Sequence, residues 1–150
     1  MKMRQALFLS AALLASAGAQ AQFQKPDDAV KYRQSALFVM GQHFGRVGAM
    51  ANGRVPFDAA VAQQNMEVVM AVARLPWAGF TPDTQNAEMK NRSKPNIWTE
   101  KAKFDEAGQN ALKSLGELQA ATKTGNLDAV KKAFADTAAS CKACHDNFRN

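Results

Sequence analysis

The 150-residue sequence has little of what marks several large protein classes. Two cysteines allow at most one disulfide bridge, so the chain is not a disulfide-stabilised scaffold. Lysines and arginines are scattered among acidic residues without a basic run or an RNA-binding aromatic motif, so nothing indicates nucleic-acid binding. The alternating pattern rich in valine, isoleucine and threonine that is typical of strands is also missing. With 47% hydrophobic residues, a chain of this length is expected to form one globular domain.

The first 21 residues have the pattern of a secretory signal peptide. Two basic residues precede a short apolar run over residues 6–14, and an A-x-A cleavage site follows at residues 19–21. That run is shorter than the about 20 residues that a transmembrane helix needs, although an uncleaved anchor is the alternative. We therefore expect cleavage after Ala21, export to the periplasm, and a mature domain over residues 22–150 that is not attached to a membrane.

From residue 26 onward, apolar residues recur every three or four positions, which predicts an all-α fold. The predicted helices cover about residues 26–51, 57–75, 97–124 and 126–148. Asn52-Gly53, Pro76 and Gly125 are the expected breaks between them. One long connection, residues 76–96, joins the second and third helices and is expected to cross the end of the bundle or to serve the function. The prediction is an antiparallel four-helix bundle.

One motif carries chemistry, a C-x-x-C-H sequence formed by Cys141, Cys144 and His145 that is typical of c-type haem attachment. Cysteines three residues apart share one helix face, so both thiols can reach the two vinyl groups on one porphyrin edge. The neighbouring imidazole can bind the iron. A redox-active C-x-x-C is instead expected at a helix N-terminus, whereas this pair lies near a C-terminus. A periplasmic thiol or disulfide protein without haem is the alternative.

This motif near the C-terminus of an exported helical chain resembles cytochrome c′, the class II c-type cytochromes. The resemblance covers residues 22–150 and includes KPDDAVKYRQ at residues 25–34, LPWAGF at 75–80 and CKACHDNFR at 141–149. It implies one covalently bound haem c, the binding of nitric oxide or carbon monoxide, single-electron transfer, and a homodimer formed through the first two helices. No catalytic nucleophile or pair of carboxylates indicates an enzyme.

The resemblance places Leu37, on the inner face of the first helix, over the open side of the iron. Leucine cannot coordinate iron, so it implies a five-coordinate iron with an apolar sixth site that suits small neutral gases. Met40 lies about 60° round the helix and is the alternative. Its thioether as a second axial ligand would produce a six-coordinate, low-spin electron carrier, although methionine is also a common residue of helical cores.

Four further residues are candidates for cofactor binding. Arg33 lies within an apolar stripe and needs either an anion or water, and the resemblance favours a haem propionate over a side chain that reaches solvent. Arg149, four residues after His145, is expected on the same helix face, where it shapes access to the imidazole or balances the helix dipole. Trp77 and Phe80 either close the haem edge or cap the core.

Apolar residues on the outer faces of the first two helices could form a contact between two subunits. Phe38 and Val69 are expected to lie outside the bundle, which is compatible with the homodimer that the resemblance implies. Trp98, Phe104 and Phe134 are expected in the core.

Overall fold

The computed structural model describes residues 22–150, so the predicted signal peptide lies outside the described residues. Within them the chain forms long α-helices, one short α-helix and two 3₁₀ helices, without any β-strand. In chain order these are α1 (Pro26–Ala51), α2 (Ala59–Val72), the 3₁₀ helices Leu75–Gly79 and Pro82–Asn86, α3 (Asn96–Thr99), α4 (Lys101–Lys123) and α5 (Leu127–Phe148). No helix among residues 22–150 has the length and apolar character needed to cross a membrane.

The helices α1, α2, α4 and α5 pack as an antiparallel four-helix bundle. Each contacts two neighbours, because α1 packs on α2, α2 on α4, α4 on α5, and α5 returns to α1. The apolar side chains that meet between them include Val47, Met66, Val69, Leu115, Leu118 and Val130. The predicted fold class and the predicted order of helices are confirmed.

Local signals explain where the helices begin and end. The side chains of Asp58 and Asn126 each accept a hydrogen bond from the backbone N–H three residues later, at 3.0 Å, and so cap α2 and α5. Gly53 and Gly125 have φ angles of 69° and 68°, a region that glycine enters without a steric penalty. The predicted breaks at these two glycines are confirmed.

Two predicted helix boundaries are wrong. The second helix ends at Val72 rather than near residue 75, because the chain tightens into the 3₁₀ helix that has Pro76 in its first turn. The predicted third helix is divided at Glu100, whose φ of −117° and ψ of 41° are not helical. The Glu100 carboxylate accepts hydrogen bonds from Asn96 and Lys103, which holds it at this junction.

The long connection is ordered and is anchored to α1 by one buried arginine. Arg33 is only 2% exposed, and its terminal nitrogens donate four hydrogen bonds to the connection. Nη1 donates to the Gly79 carbonyl at 2.5 Å and to Thr84 Oγ1 at 3.0 Å. Nη2 donates to Asn91 Oδ1 at 3.3 Å and to Ser93 Oγ at 3.0 Å. Burial lowers the pKa of Arg33 to about 10, so the side chain remains a cation at neutral pH.

The last part of the connection, residues 89–96, forms a strap between α1 and the C-terminal end of α5. On the α1 side, Asp27 accepts from the Met89 amide and Gln34 donates to the Lys90 carbonyl, both at 3.0 Å. On the α5 side, four hydrogen bonds join Lys94 N to Phe148 O (3.0 Å), Lys94 Nζ to Asp146 O (2.7 Å), Asn96 Nδ2 to Asn147 O (3.2 Å) and Asn150 N to Arg92 O (2.8 Å). The strap therefore supplies donors to carbonyls that have no partner within the helix.

We expect Arg33→Lys to lower the free energy of unfolding by about 3 kcal/mol, because an ammonium group cannot serve the four acceptors of the planar guanidinium. Thermal unfolding followed by circular dichroism measures the loss. Arg46→Lys, the same substitution at an exposed position of α1, is the matched control and is expected to change stability by less than about 0.5 kcal/mol. Equal effects of the two substitutions would contradict the anchoring role.

Candidate cofactor site

A cavity of about 430 Å³ lies where the connection crosses the end of the bundle, a volume common for binding sites of small molecules and cofactors. Most of its wall is apolar, formed by Leu37, Phe38, Pro76, Trp77, Phe80, Ile97, Phe104 and Phe148. The remaining lining residues are Arg33, Gln34, Asn91, Arg92, Ser93, Cys144, His145 and Arg149. The cavity thus combines an aromatic floor with a polar part that holds three arginines and no carboxylate.

Aromatic rings pack edge to face along the cavity floor. The Phe104 ring lies 5.8 Å from Trp77, 4.8 Å from Phe80 and 5.3 Å from Phe148, measured between ring centroids. Gly108 permits this packing, since a Cβ atom there would come within 3.0 Å of the Trp77 ring. Trp77 and Phe80 line the cavity and also pack against the core cluster of Ile97, Phe104 and Phe148.

The helix α5 brings the C-x-x-C-H motif to this cavity. Cys144 and His145 line it, whereas Cys141 lies half-buried one turn earlier and does not. No disulfide bond joins the two cysteines. Burial raises the pKa of each thiol, and the neighbouring Cys144 raises that of Cys141 further. Neutral thiols near a helix C-terminus do not form the activated thiolate of a redox protein.

The imidazole of His145 lies on the cavity wall in a positively charged setting. Partial burial and then the charge of Arg149 lower the pKa of His145, while Asp146 opposes this and Arg92 adds to it. The neutral imidazole is therefore favoured, and this is the form that binds metals.

Arg149 lies near His145, but it is not part of the helix as predicted. The helix ends at Phe148, and Arg149 is extended, with a φ of −130° and a ψ of 134°. Its amide donates to the His145 carbonyl at 3.0 Å, while its backbone pairs antiparallel with Ser93 of the strap. The prediction that Arg149 continues the helical face of His145 is wrong, because its backbone is extended where it pairs with Ser93 of the strap.

Leu37 and Met40 are the two candidates for the position opposite His145, and they differ in where they lie relative to the cavity. Leu37 lines the cavity, and Met40 instead packs against the main core of the bundle. Phe38 is 66% exposed at the cavity wall, as expected for an outer position. Val69 is fully buried, so its predicted outer position is wrong, because this face of α2 packs into the bundle core.

The alternative that Arg33 reaches solvent is wrong, since its side chain is buried and its terminal N–H groups are taken up by the connection. The sequence analysis did not single out Asn91, Arg92 and Ser93, which also line the cavity. The one available signal was the length and polarity of the connection that contains them, because a polar segment crossing the end of a bundle supplies residues to whatever binds there.

The residues at this cavity fit a haem c. Two thiols three residues apart and an adjacent imidazole are the groups that the attachment chemistry requires. The aromatic wall suits a flat macrocycle, and the arginines without a lining carboxylate suit its two negatively charged propionates.

Comparisons with known proteins agree with this fit. The family model described as Cytochrome C' matches residues 28–149. The cytochrome c' of Alcaligenes xylosoxydans xylosoxydans is 45% identical over 128 residues, which is 85% of this chain and 98% of that one. The crystal structure of cytochrome c' from Rubrivivax gelatinosus superposes with a TM-score of 0.83 at 43% identity, covering 86% of this chain and all of that one.

A nitric oxide complex of a leucine-to-isoleucine variant of cytochrome c prime from Alcaligenes xylosoxidans is a further solved relative. It has a TM-score of 0.79 and 43% identity, and the match covers 86% of this chain and 99% of that one. Proteins of this family carry covalently bound haem c. The chain belongs to the cytochrome c′ family, and haem c is its cofactor.

Proposed function

We propose that the chain is a periplasmic haem protein that binds the diatomic gases nitric oxide and carbon monoxide, transfers single electrons, or does both. Cys141 and Cys144 hold the haem, His145 is the axial ligand, and Leu37 faces a sixth site without a protein ligand. The observation that carries this proposal is that His145 of α5 and Leu37 of α1, which cannot coordinate a metal, line the same cavity. The proposal assigns no catalytic turnover to the chain.

Cys141 and Cys144 would hold the haem through two thioether bonds, which requires reduced thiols and a fixed geometry. Each S–H would add across one vinyl double bond, with sulfur on one carbon, hydrogen on the other and no atom lost. Burial keeps the pKa of both thiols raised, and α5 presents Cys141 and Cys144 one turn apart. The strap holds the last turn of this helix and thereby the orientation of His145.

The α1 side of the cavity favours small neutral ligands. When bound, haem supplies an iron that takes up a diatomic gas and exchanges one electron. Leu37 offers neither a lone pair to the metal nor a hydrogen-bond donor to a ligand, so it selects by size and polarity. Solved nitric oxide complexes of Alcaligenes xylosoxidans cytochrome c prime with isoleucine or glycine in place of one leucine support the gas ligand.

The competing functions have less support. A six-coordinate carrier needs Met40 at the iron, but this side chain packs in the main core and does not line the cavity. The alternative prediction of a thiol or disulfide protein without haem is wrong, because the chain belongs to a family of haem proteins.

We also propose a homodimer formed through the outer faces of α1 and α2. Phe38, Val39 and Val61 are large apolar residues exposed on these two helices. Exposed apolar residues of this kind are typical of a subunit contact, and two copies related by a two-fold axis would cover them.

The dimer predicts that a charge at this face separates the subunits. We expect Val39→Glu to convert the protein from dimer to monomer, because burying an unpaired carboxylate at the contact is costly. Sedimentation velocity measures the mass. Ala135→Glu at an exposed position of α5 is the control and is expected to remain dimeric. A wild-type monomer would contradict the proposal.

Covalent attachment predicts a defined loss on removing the thiols. In a host with c-type maturation machinery, we expect Cys141→Ser/Cys144→Ser to release all of its haem on acid–acetone extraction, whereas the wild type retains it. The pyridine haemochrome spectrum measures the bound haem. Ser140→Ala, next to the motif, is expected to behave as the wild type. A colourless wild-type protein, or covalent haem in the double variant, would overturn the assignment.

The role of Leu37 predicts faster gas entry when its side chain is shortened. We expect Leu37→Ala to bind carbon monoxide about tenfold faster, which corresponds to a barrier lowered by about 1.4 kcal/mol. Stopped-flow mixing of the ferrous protein measures the rate. Met40→Leu is the control, and its high-spin spectrum is expected to match the wild type. A low-spin wild type that becomes high-spin in Met40→Leu would instead assign Met40 as the sixth ligand.

A further inference from the structure

The polar part of the cavity has an excess of positive charge. It contains Arg33, Arg92 and Arg149, and no aspartate or glutamate belongs to the lining. Cations grouped at a largely apolar cavity repel one another unless an anion enters. A negatively charged group on the occupant would offset this excess of positive charge.

Arg33 has little capacity left for such a group. A guanidinium has five N–H donors, and four of them, on Nη1 and Nη2, already donate to oxygen atoms of the connection. Bidentate binding of a carboxylate uses two parallel N–H groups, so at Arg33 it would break bonds that anchor the connection.

Arg92 is held at the same part of the cavity by the strap. Its two neighbours, Asn91 and Ser93, both accept hydrogen bonds from Nη2 of Arg33. Its own carbonyl accepts from the Asn150 amide at 2.8 Å. The backbone is thus fixed on both sides, whereas the guanidinium is exposed at the cavity wall and forms no ion pair with the described residues.

We propose that Arg92 binds a propionate carboxylate of the haem. This inference rests on the proposed function and assigns to Arg92 the charge-pairing role that the sequence suggested for Arg33. Arg33 is then a positioning residue, since it acts on the cofactor by holding the strap that presents Arg92.

The test compares charge-removing and charge-conserving variants of the haem-loaded protein. Arg92→Gln removes the charge and keeps the backbone bond to Asn150, and Arg92→Lys keeps the charge. Lys90→Gln removes the same charge from the strap at an exposed residue that does not line the cavity. Covalent haem content is measured first, because its absence from the wild type would reject the proposed function rather than the role of Arg92.

The decisive measurements are the midpoint reduction potential at fixed pH and ionic strength and the redox-induced infrared difference bands of the propionate carboxylates. In Arg92→Gln we expect a lower potential and shifted carboxylate bands, because an uncompensated carboxylate favours the ferric state. Arg92→Lys is expected to retain most of the wild-type potential, and Lys90→Gln is expected to match the wild type in both measurements.

Three results would overturn the proposal. The first is an Arg92→Gln protein with the potential and carboxylate bands of Lys90→Gln. The second is a lowered potential with unchanged carboxylate bands, which would show that Arg92 acts at a distance. The third is a wild-type potential that changes with added acetate at constant ionic strength while Arg92→Gln does not respond, which would identify a site for free carboxylates.

Discussion

The hydrogen bonds between the buried guanidinium of Arg33 and the connection hold one wall of the cavity in place. A buried cation is tolerated only when its donors are satisfied, and here the acceptors come from four separate points of a polar segment. Because α1 holds this segment across the end of the bundle, Trp77 and Phe80 near its start and the strap at its end line the same cavity. The anchor thereby holds the connection beside the C-x-x-C-H motif of α5.

The strap couples this anchor to the helix that carries the motif. The carbonyls of Asp146, Asn147 and Phe148 accept hydrogen bonds from Lys94 and Asn96, so the end of α5 is satisfied by a neighbouring segment instead of water. The same contacts end the helix one residue before Arg149. One set of bonds therefore holds the backbone that carries both His145 and Arg149.

The sequence predicted those features that depend on neighbouring residues in the chain. Apolar periodicity predicted the bundle, Gly53 and Gly125 marked two turns, and the motif identified the cofactor. The errors concern contacts between distant segments. The prediction that Arg149 is helical was wrong because Ser93 of the strap pairs with it. The predicted outer position of Val69 was wrong because Val69 packs in the bundle core. Arg92 was overlooked because its position depends on contacts of the strap with Arg33 and Asn150.

Covalent attachment also explains why the two faces of the cavity differ so much in chemistry. Thioether bonds make retention of the cofactor independent of non-covalent affinity, so the α1 wall does not need a second metal ligand to hold the haem. A leucine can then occupy the position where a thioether or imidazole would compete with a gas. The polar residues are concentrated instead where the strap meets α1 and α5. Under the proposed function, the charges there would orient the propionates and influence the electrostatic potential at the metal, while the apolar wall would control which molecules reach it.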